Sequence, residues 1–286
     1  MAGFFGLFNY EKEGPGISKN APKKKTFIVF FETFFRNFWK FIVINLVYFI
    51  ISLPVLTNGL ASAGITNVTR NIARDKHSFG VSDLIDTIKK NWKQALPAGI
   101  INTLINLILA FDIYFFFTSD SGSGSGIMSS IGLGIALCMF FIFTVMNYYI
   151  WTLMITFKFT LKQIYRNSFK FVFINMKMNL LCFFVILLVY AINIALLFLL
   201  PAYFFVVLTF ELLLYVLLYP SFRFLLVQYC TFPAIKKYII DPYYLEHPDE
   251  DIDKRHDLGI EVAKKPVEVP EGETPPEEEP ENVFED

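Results

Sequence analysis

The stretch SLPVLTNGLASAGITNVTRNIARDK (residues 52–76) decides how this chain folds. It sits among long apolar runs, yet it is rich in small and hydroxyl residues and closes on Arg70, Arg74 and Lys76. A helix crosses the hydrocarbon core with about 20 mostly apolar residues. Five runs meet that requirement directly: 38–56, 96–117, 127–153, 179–200 and 202–222. Pro97 falls where a helix start tolerates it, and Pro201 marks the turn between the last two runs. Such lengths exceed those of buried strands. The chain therefore reads as an all-α, polytopic integral membrane bundle, and the number of crossings turns on residues 52–76.

Charge placement argues that this segment crosses. Cytoplasmic flanks carry an excess of Lys and Arg. Lys19, Lys23, Lys24, Lys25, Arg36 and Lys40 precede the first run. Lys158, Lys162, Arg166, Lys170 and Lys177 fill the 158–177 loop, and Arg223, Lys236 and Lys237 follow the last run. The 118–126 loop, TSDSGSGSG, has no basic residue and should face outward. The 96–117 run must then start inside, after a basic leader, so the chain has to return across the bilayer near residues 57–70. That gives six crossings with both termini cytoplasmic; the alternative is five crossings plus a re-entrant segment, which is tolerable only when covered by protein. A span this polar has to be enclosed by other helices. Gly59 and Ala63, at small-xxx-small spacing, allow close backbone approach, and Pro54 is a further candidate packing position at its entry.

The composition agrees. Of 286 residues, 55% are hydrophobic and 18% charged, against about a quarter charged in soluble domains. Residues 1–240 carry a formal +12 and residues 241–286 a formal −13, so the overall −1 describes neither part. The expected organisation is an interfacial N-terminal segment (1–26), a transmembrane domain (27–240) and an acidic tail (241–286), disordered in isolation. The start, MAGFFGLFNYEKEGPG, does not read as a signal peptide. GFFGLFNY can lie in the interface, with Lys23, Lys24 and Lys25 on anionic headgroups. Between the second and third crossings, Leu84, Ile85, Ile88 and Trp92 form an apolar stripe on a short amphipathic helix capped by Ser82, a candidate cytoplasmic docking helix.

Little in the sequence points to chemistry. There is no HExxH, GxSxG, CxxC or Walker A pattern, and SGSGSG is not followed by the GK[ST] of a phosphate loop. Cys138, Cys182 and Cys230 are too scattered for a disulfide framework or metal knuckle. The expectation is a protein that is not an enzyme, with no cofactor, metal or nucleic-acid partner. Charged groups at bilayer depth usually face a bundle interior or a pathway, which makes Glu211 and Asp112 candidate contacts. Asn102 and Asn106 share a helix face, as do Thr144, Asn147, Tyr148 and Trp151.

Several blocks resemble one family. NLVYFIISLPVLTNGLASAGITNVTRNIARDKHSF, DLIDTIKKNWKQA and ILAFDIYFF are similar to the YesL family of bacterial membrane proteins, and GFFGLFNYEKEGPGISKNAPKK and MNYYIWTLMITFKFTLKQIYRNSFKFVF look like its Firmicutes members. The resemblance runs from about residue 3 to 240. Members of this functionally undefined family are often encoded beside carbohydrate ABC importers. It therefore implies an accessory subunit binding the importer's permease subunits in the bacterial cytoplasmic membrane. The chain lacks the EAA–Gly signature of permeases that grip the ATPase. A stand-alone transporter or channel using Glu211, and a scaffold for envelope-polymer assembly, are the alternatives.

Overall fold

The computed structural model describes residues 26–119 and 126–247. The expectations for residues 1–25, for most of the 118–126 loop and for residues 248–286 of the acidic tail lie outside the described residues; the tail's first residues, expected to be disordered, form the helix Asp241–Glu246. The chain divides into two compact units, Met1–Ala234 and Ile235–Asp286. In the second, a π-helical turn (Lys236–Ile240) runs into a short helix (Asp241–Glu246), and the His247 ring stacks on Tyr243 at 4.7 Å.

The first unit is all helix among the described residues. α1 is Thr26–Arg36, α2 Phe38–Ser52, α3 Asn58–Ala73, α4 Val81–Ser119, α5 Gly126–Thr156, α6 Leu161–Ile174, α7 Met176–Leu199, α8 Phe204–Leu217 and α9 Tyr219–Ile235. α4, α5 and α7 are each long and apolar enough to cross a membrane. Two bent pairs raise that number to five if each is one span: α1 with α2, bent by 75°, and Pro201–Leu217 with Tyr219–Glu246, bent by 50°. α7 buries only Asn179, Cys182 and Ile186, and α8 buries nothing. An apolar surface on that scale has to face lipid. The protein is an all-α polytopic membrane bundle.

α3 is the most enclosed element. Ten of its 16 residues are buried, Gly59 and Ala63 among them, and it packs against α2, α4 and α5. Two of its hydroxyls are satisfied within the helix: Thr66 and Thr69 donate to the carbonyls of Ser62 and Ile65 at 2.6 and 2.8 Å. Asn67 donates to Thr87 on α4 at 2.8 Å. The basic end of α3 is also a structural contact. Arg70 donates to Thr156 at 2.9 Å and to the Ile155 carbonyl at 3.3 Å, closing the C-terminus of α5, where a cation suits the exposed carbonyls.

At Gly59 and Gly99 the backbones of α3 and α4 meet without space for a side chain. A Cβ on Gly59 would stand 2.2 Å from the Ala95 carbonyl and 2.6 Å from Gly99 Cα, and a Cβ on Gly99 would stand 2.6 Å from Gly59 Cα. A Cβ on Gly64 would stand 2.8 Å from the Leu84 side chain and 3.1 Å from its carbonyl. Five residues of α3 are thus matched to fifteen of α4. A straight α4 would rise roughly 22 Å over that interval against roughly 8 Å along α3, so α4 bends around α3 in the stretch that holds Pro97.

The structure corrects several expectations. Pro97 lies inside α4 and not at its start, because the amphipathic stretch and the following span are one continuous helix held at both ends by α3. The helix begins at Val81, with Ser82 exposed; the Asp83 carboxylate accepts from the Ser78 hydroxyl at 2.7 Å and the Phe79 amide at 3.0 Å. Pro54 is exposed and shapes a turn, its carbonyl accepting the Thr57 amide at 2.8 Å, so it is not a packing residue. The 158–177 loop contains α6, started by a capping box between Thr160 and Gln163. The 202–222 run breaks at Leu218. There Asn45 of α2 donates to the Leu217 carbonyl at 2.6 Å and accepts from the Ser221 amide at 2.9 Å, joining the end of α8 to the start of α9.

The Gly59–Gly99 crossing leaves no room for a methyl group. Gly59→Ala and Gly99→Ala should each destabilise the protein by about 1–3 kcal/mol through overpacking, read as a lowered thermal midpoint in detergent. Gly134→Ala, which meets nothing within 4 Å, should leave the midpoint unchanged or raise it slightly. Equal midpoints for all three variants would refute the tight crossing.

Candidate functional site

Five helices converge on one polar cavity of about 130 Å³. Tyr48 comes from α2, Asn58 and Ser62 from α3, Asn102, Thr103 and Asn106 from α4, Thr144, Asn147 and Trp151 from α5, and Arg223 from α9. A narrow extension of about 10 Å³ runs past Tyr148 and Gln228. The helical period explains the grouping: residues three and four apart share a face, so the Asn102–Asn106 and Thr144–Asn147–Trp151 sets each point one way. α3 supplies small residues where its neighbours crowd it, so the space beside Gly99 and Ser62 stays open.

The polar groups here are only partly satisfied. Tyr165 of α6 donates to Asn102 Oδ1 at 2.6 Å, and burial pushes its hydroxyl up to about 12, keeping it protonated as a donor. Asn102 Nδ2 is buried with no partner among the described residues, as are the Tyr148 hydroxyl and Gln228 Oε1. Asn147 Nδ2 donates to the Phe143 carbonyl at 2.9 Å. Arg223 lies against the Phe224 ring, 5.5 Å from its centroid. Among the described residues no Asp or Glu lines the cavity or its extension, and the ion pair identified there is Arg36–Asp75, elsewhere in the bundle.

Through helical spacing the sequence singles out five of these residues, Asn102, Asn106, Thr144, Asn147 and Trp151, and the structure brings their two faces together. It misplaces Arg223, which reads as a cytoplasmic flanking charge because α8 and α9 look like one span followed by a tail. Pro220 and the polar run Ser221, Arg223, Gln228 are the signals that a second helix follows. Glu211 is elsewhere. It lines an apolar groove of about 460 Å³ with Tyr190, Asn193, Tyr215 and Tyr219, and its buried Oε1 has no partner among the described residues. Asp112 is half-buried on α4 and shares neither site. The docking stripe is divided: Leu84 is fully buried against Gly64 and Ile88 is half-buried, while Ile85 and Trp92 are 39% and 52% exposed. Two exposed residues remain of a four-residue surface because α3 occupies the other face. Among the described residues, no group of three or more His, Cys, Asp or Glu converges to hold a metal.

The family described as "Protein of unknown function, DUF624" matches residues 41–113, which covers α3, most of α2 and α4, and the Gly59–Gly99 crossing. No curated protein and no solved structure matches the chain.

The Tyr165–Asn102 bond joins α6 to the cavity wall. Tyr165→Phe leaves Asn102 Oδ1 buried without its donor, and should cost about 1–3 kcal/mol, read by thermal unfolding in detergent. Tyr229→Phe, whose hydroxyl makes one longer bond to Thr33 at 3.1 Å, should cost less than Tyr165→Phe.

Proposed function

We propose that this chain is a non-enzymatic membrane subunit that works by helix–helix association, accessory to a carbohydrate ABC importer. On this reading it belongs to the YesL family, the family known as DUF624, and resides in the cytoplasmic membrane of a Firmicutes bacterium. α3 completes six crossings with both termini cytoplasmic. The partner's identity comes from the resemblance, which associates such chains with importer permeases. The single observation that carries the association is Glu211. It is an acid at bilayer depth on α8, a helix that buries none of its own residues, and it opens into an apolar groove with one oxygen unpartnered. An intramembrane carboxyl in that setting is costly unless a neighbour answers it, and a second polypeptide's donor can do so. A stand-alone transporter using the same carboxyl is the alternative, favoured by the groove itself.

Full-length tagged protein, solubilised in mild detergent, should recover permease subunits of a carbohydrate importer. Glu211→Leu should reduce that recovery by about ten-fold, as expected for loss of one buried polar contact at an interface. Recovery of this chain alone sinks the association. Proteoliposome flux that disappears in Glu211→Gln would replace it with the transporter.

A further inference from the structure

We infer that the cavity around Arg223 is a binding site for a compact oxyanion, a phosphate or carboxylate group. This goes beyond the partner reading and does not rest on it. A guanidinium brings five N–H donors and a permanent charge, and a charge at membrane depth needs an answering group. Among the described residues none is supplied inside this cavity, because no Asp or Glu of theirs lines it. Two further buried donors are left over: Asn102 on the cavity wall, 5% exposed, with Nδ2 unpartnered, and Tyr148 in the narrow extension, 3% exposed, with its hydroxyl unpartnered. Buried donors in native proteins are nearly always paired. One unpartnered acceptor, Gln228 Oε1, lines the extension together with the Tyr148 hydroxyl; in the cavity itself the Arg223 guanidinium and Asn102 Nδ2 are left, and the group they call for is an acceptor carrying negative charge.

Size narrows the ligand further. Sites for drug-sized molecules run to about 300–1,000 Å³, whereas this one holds about 130 Å³. That suits one phosphate or carboxylate group better than a drug-sized molecule. Hydrogen bonds between a guanidinium and an oxyanion are the strong, charge-assisted kind, frequently bidentate. Asn58 and Asn106 are exposed and mark the mouth, on the side where α2 turns into α3. Two sources offer the same chemistry: a free anion entering the mouth, or the phosphate of an anionic lipid seated there.

The test uses the full chain in nanodiscs. Trp39→Phe and Trp92→Phe leave Trp151, on the cavity wall, as the remaining emitter of the three tryptophans. In phosphatidylcholine nanodiscs, inorganic phosphate should change its emission saturably, and Arg223→Gln should weaken binding by about ten-fold or more, as loss of a charge-assisted pair requires. In nanodiscs containing phosphatidylglycerol, native mass spectrometry should instead find that lipid retained by the parent protein and lost from Arg223→Gln if a headgroup is the source. A response in neither arm, or equal binding by folded Arg223→Gln, overturns the site. Should Arg223→Gln fail to fold, Asn102→Ala and Tyr148→Phe carry the test. Each removes one donor and should weaken binding by about three- to ten-fold, and unchanged binding in both overturns the site equally.

Discussion

The contact between the backbones of Gly59 and Gly99 holds the rest of the bundle in place. Lipid tails are as apolar as Leu side chains, so no hydrophobic force gathers helices within a membrane; close packing and hydrogen bonds have to do it. α3 is too polar to face lipid and has to be surrounded, and two glycines without side chains let α4 come near enough to surround it. The bend of α4 follows, because the same short stretch of α3 also touches Leu84 much earlier in α4. α5 is then tied to the far end of α3 by Arg70. α2 closes the remaining side and reaches the α8–α9 break through Asn45.

The polar cavity is a by-product of the same constraint. Small residues that permit close approach at one level leave unfilled space at the next, and Gly99 and Ser62 line both the crossing region and the cavity. A void with apolar walls would be dry and costly. Here the walls carry amides, hydroxyls and a guanidinium, which water or an anion can satisfy. Packing and binding capacity thus have one origin, in a segment whose polarity looks like a defect when read as a lipid-facing helix.

Much of this was legible in the sequence, and the failures share one cause. Apolar runs reveal lipid exposure, so 127–153 and 179–200 correspond closely to α5 and α7. The weak apolarity of 52–76 signals enclosure, because polar side chains at membrane depth need protein around them. The errors arose where tertiary contacts override local signals. Pro97 did not start a helix, since α3 grips α4 on both sides of it. The break at Leu218 was missed because the side chain that secures it, Asn45, lies far away in sequence. Arg223 was read as a flanking charge by the rule that works for Lys and Arg outside the bilayer, a rule that has no means of telling a flank from a cavity wall. Asn102, Asn106 and Asn147 were found because helical spacing shows which residues share a face, but not which faces meet.

Two opposite charges at membrane depth, Glu211 and Arg223, do not pair. Had they met, each would have answered the other's desolvation cost, and neither would be available to anything else. Tyrosines stand between the two environments. Tyr219, one helical turn before Arg223, stacks on Tyr215 at 5.3 Å and lies against Tyr190 at 4.9 Å, and all three line the groove that holds Glu211. That aromatic wall leaves the carboxyl facing the lipid-side groove and the guanidinium facing the interior cavity. A fold selected for stability alone gains from bringing these charges together. Keeping them apart, each with unanswered polar neighbours, is the arrangement expected when both are reserved for contacts the isolated chain does not contain.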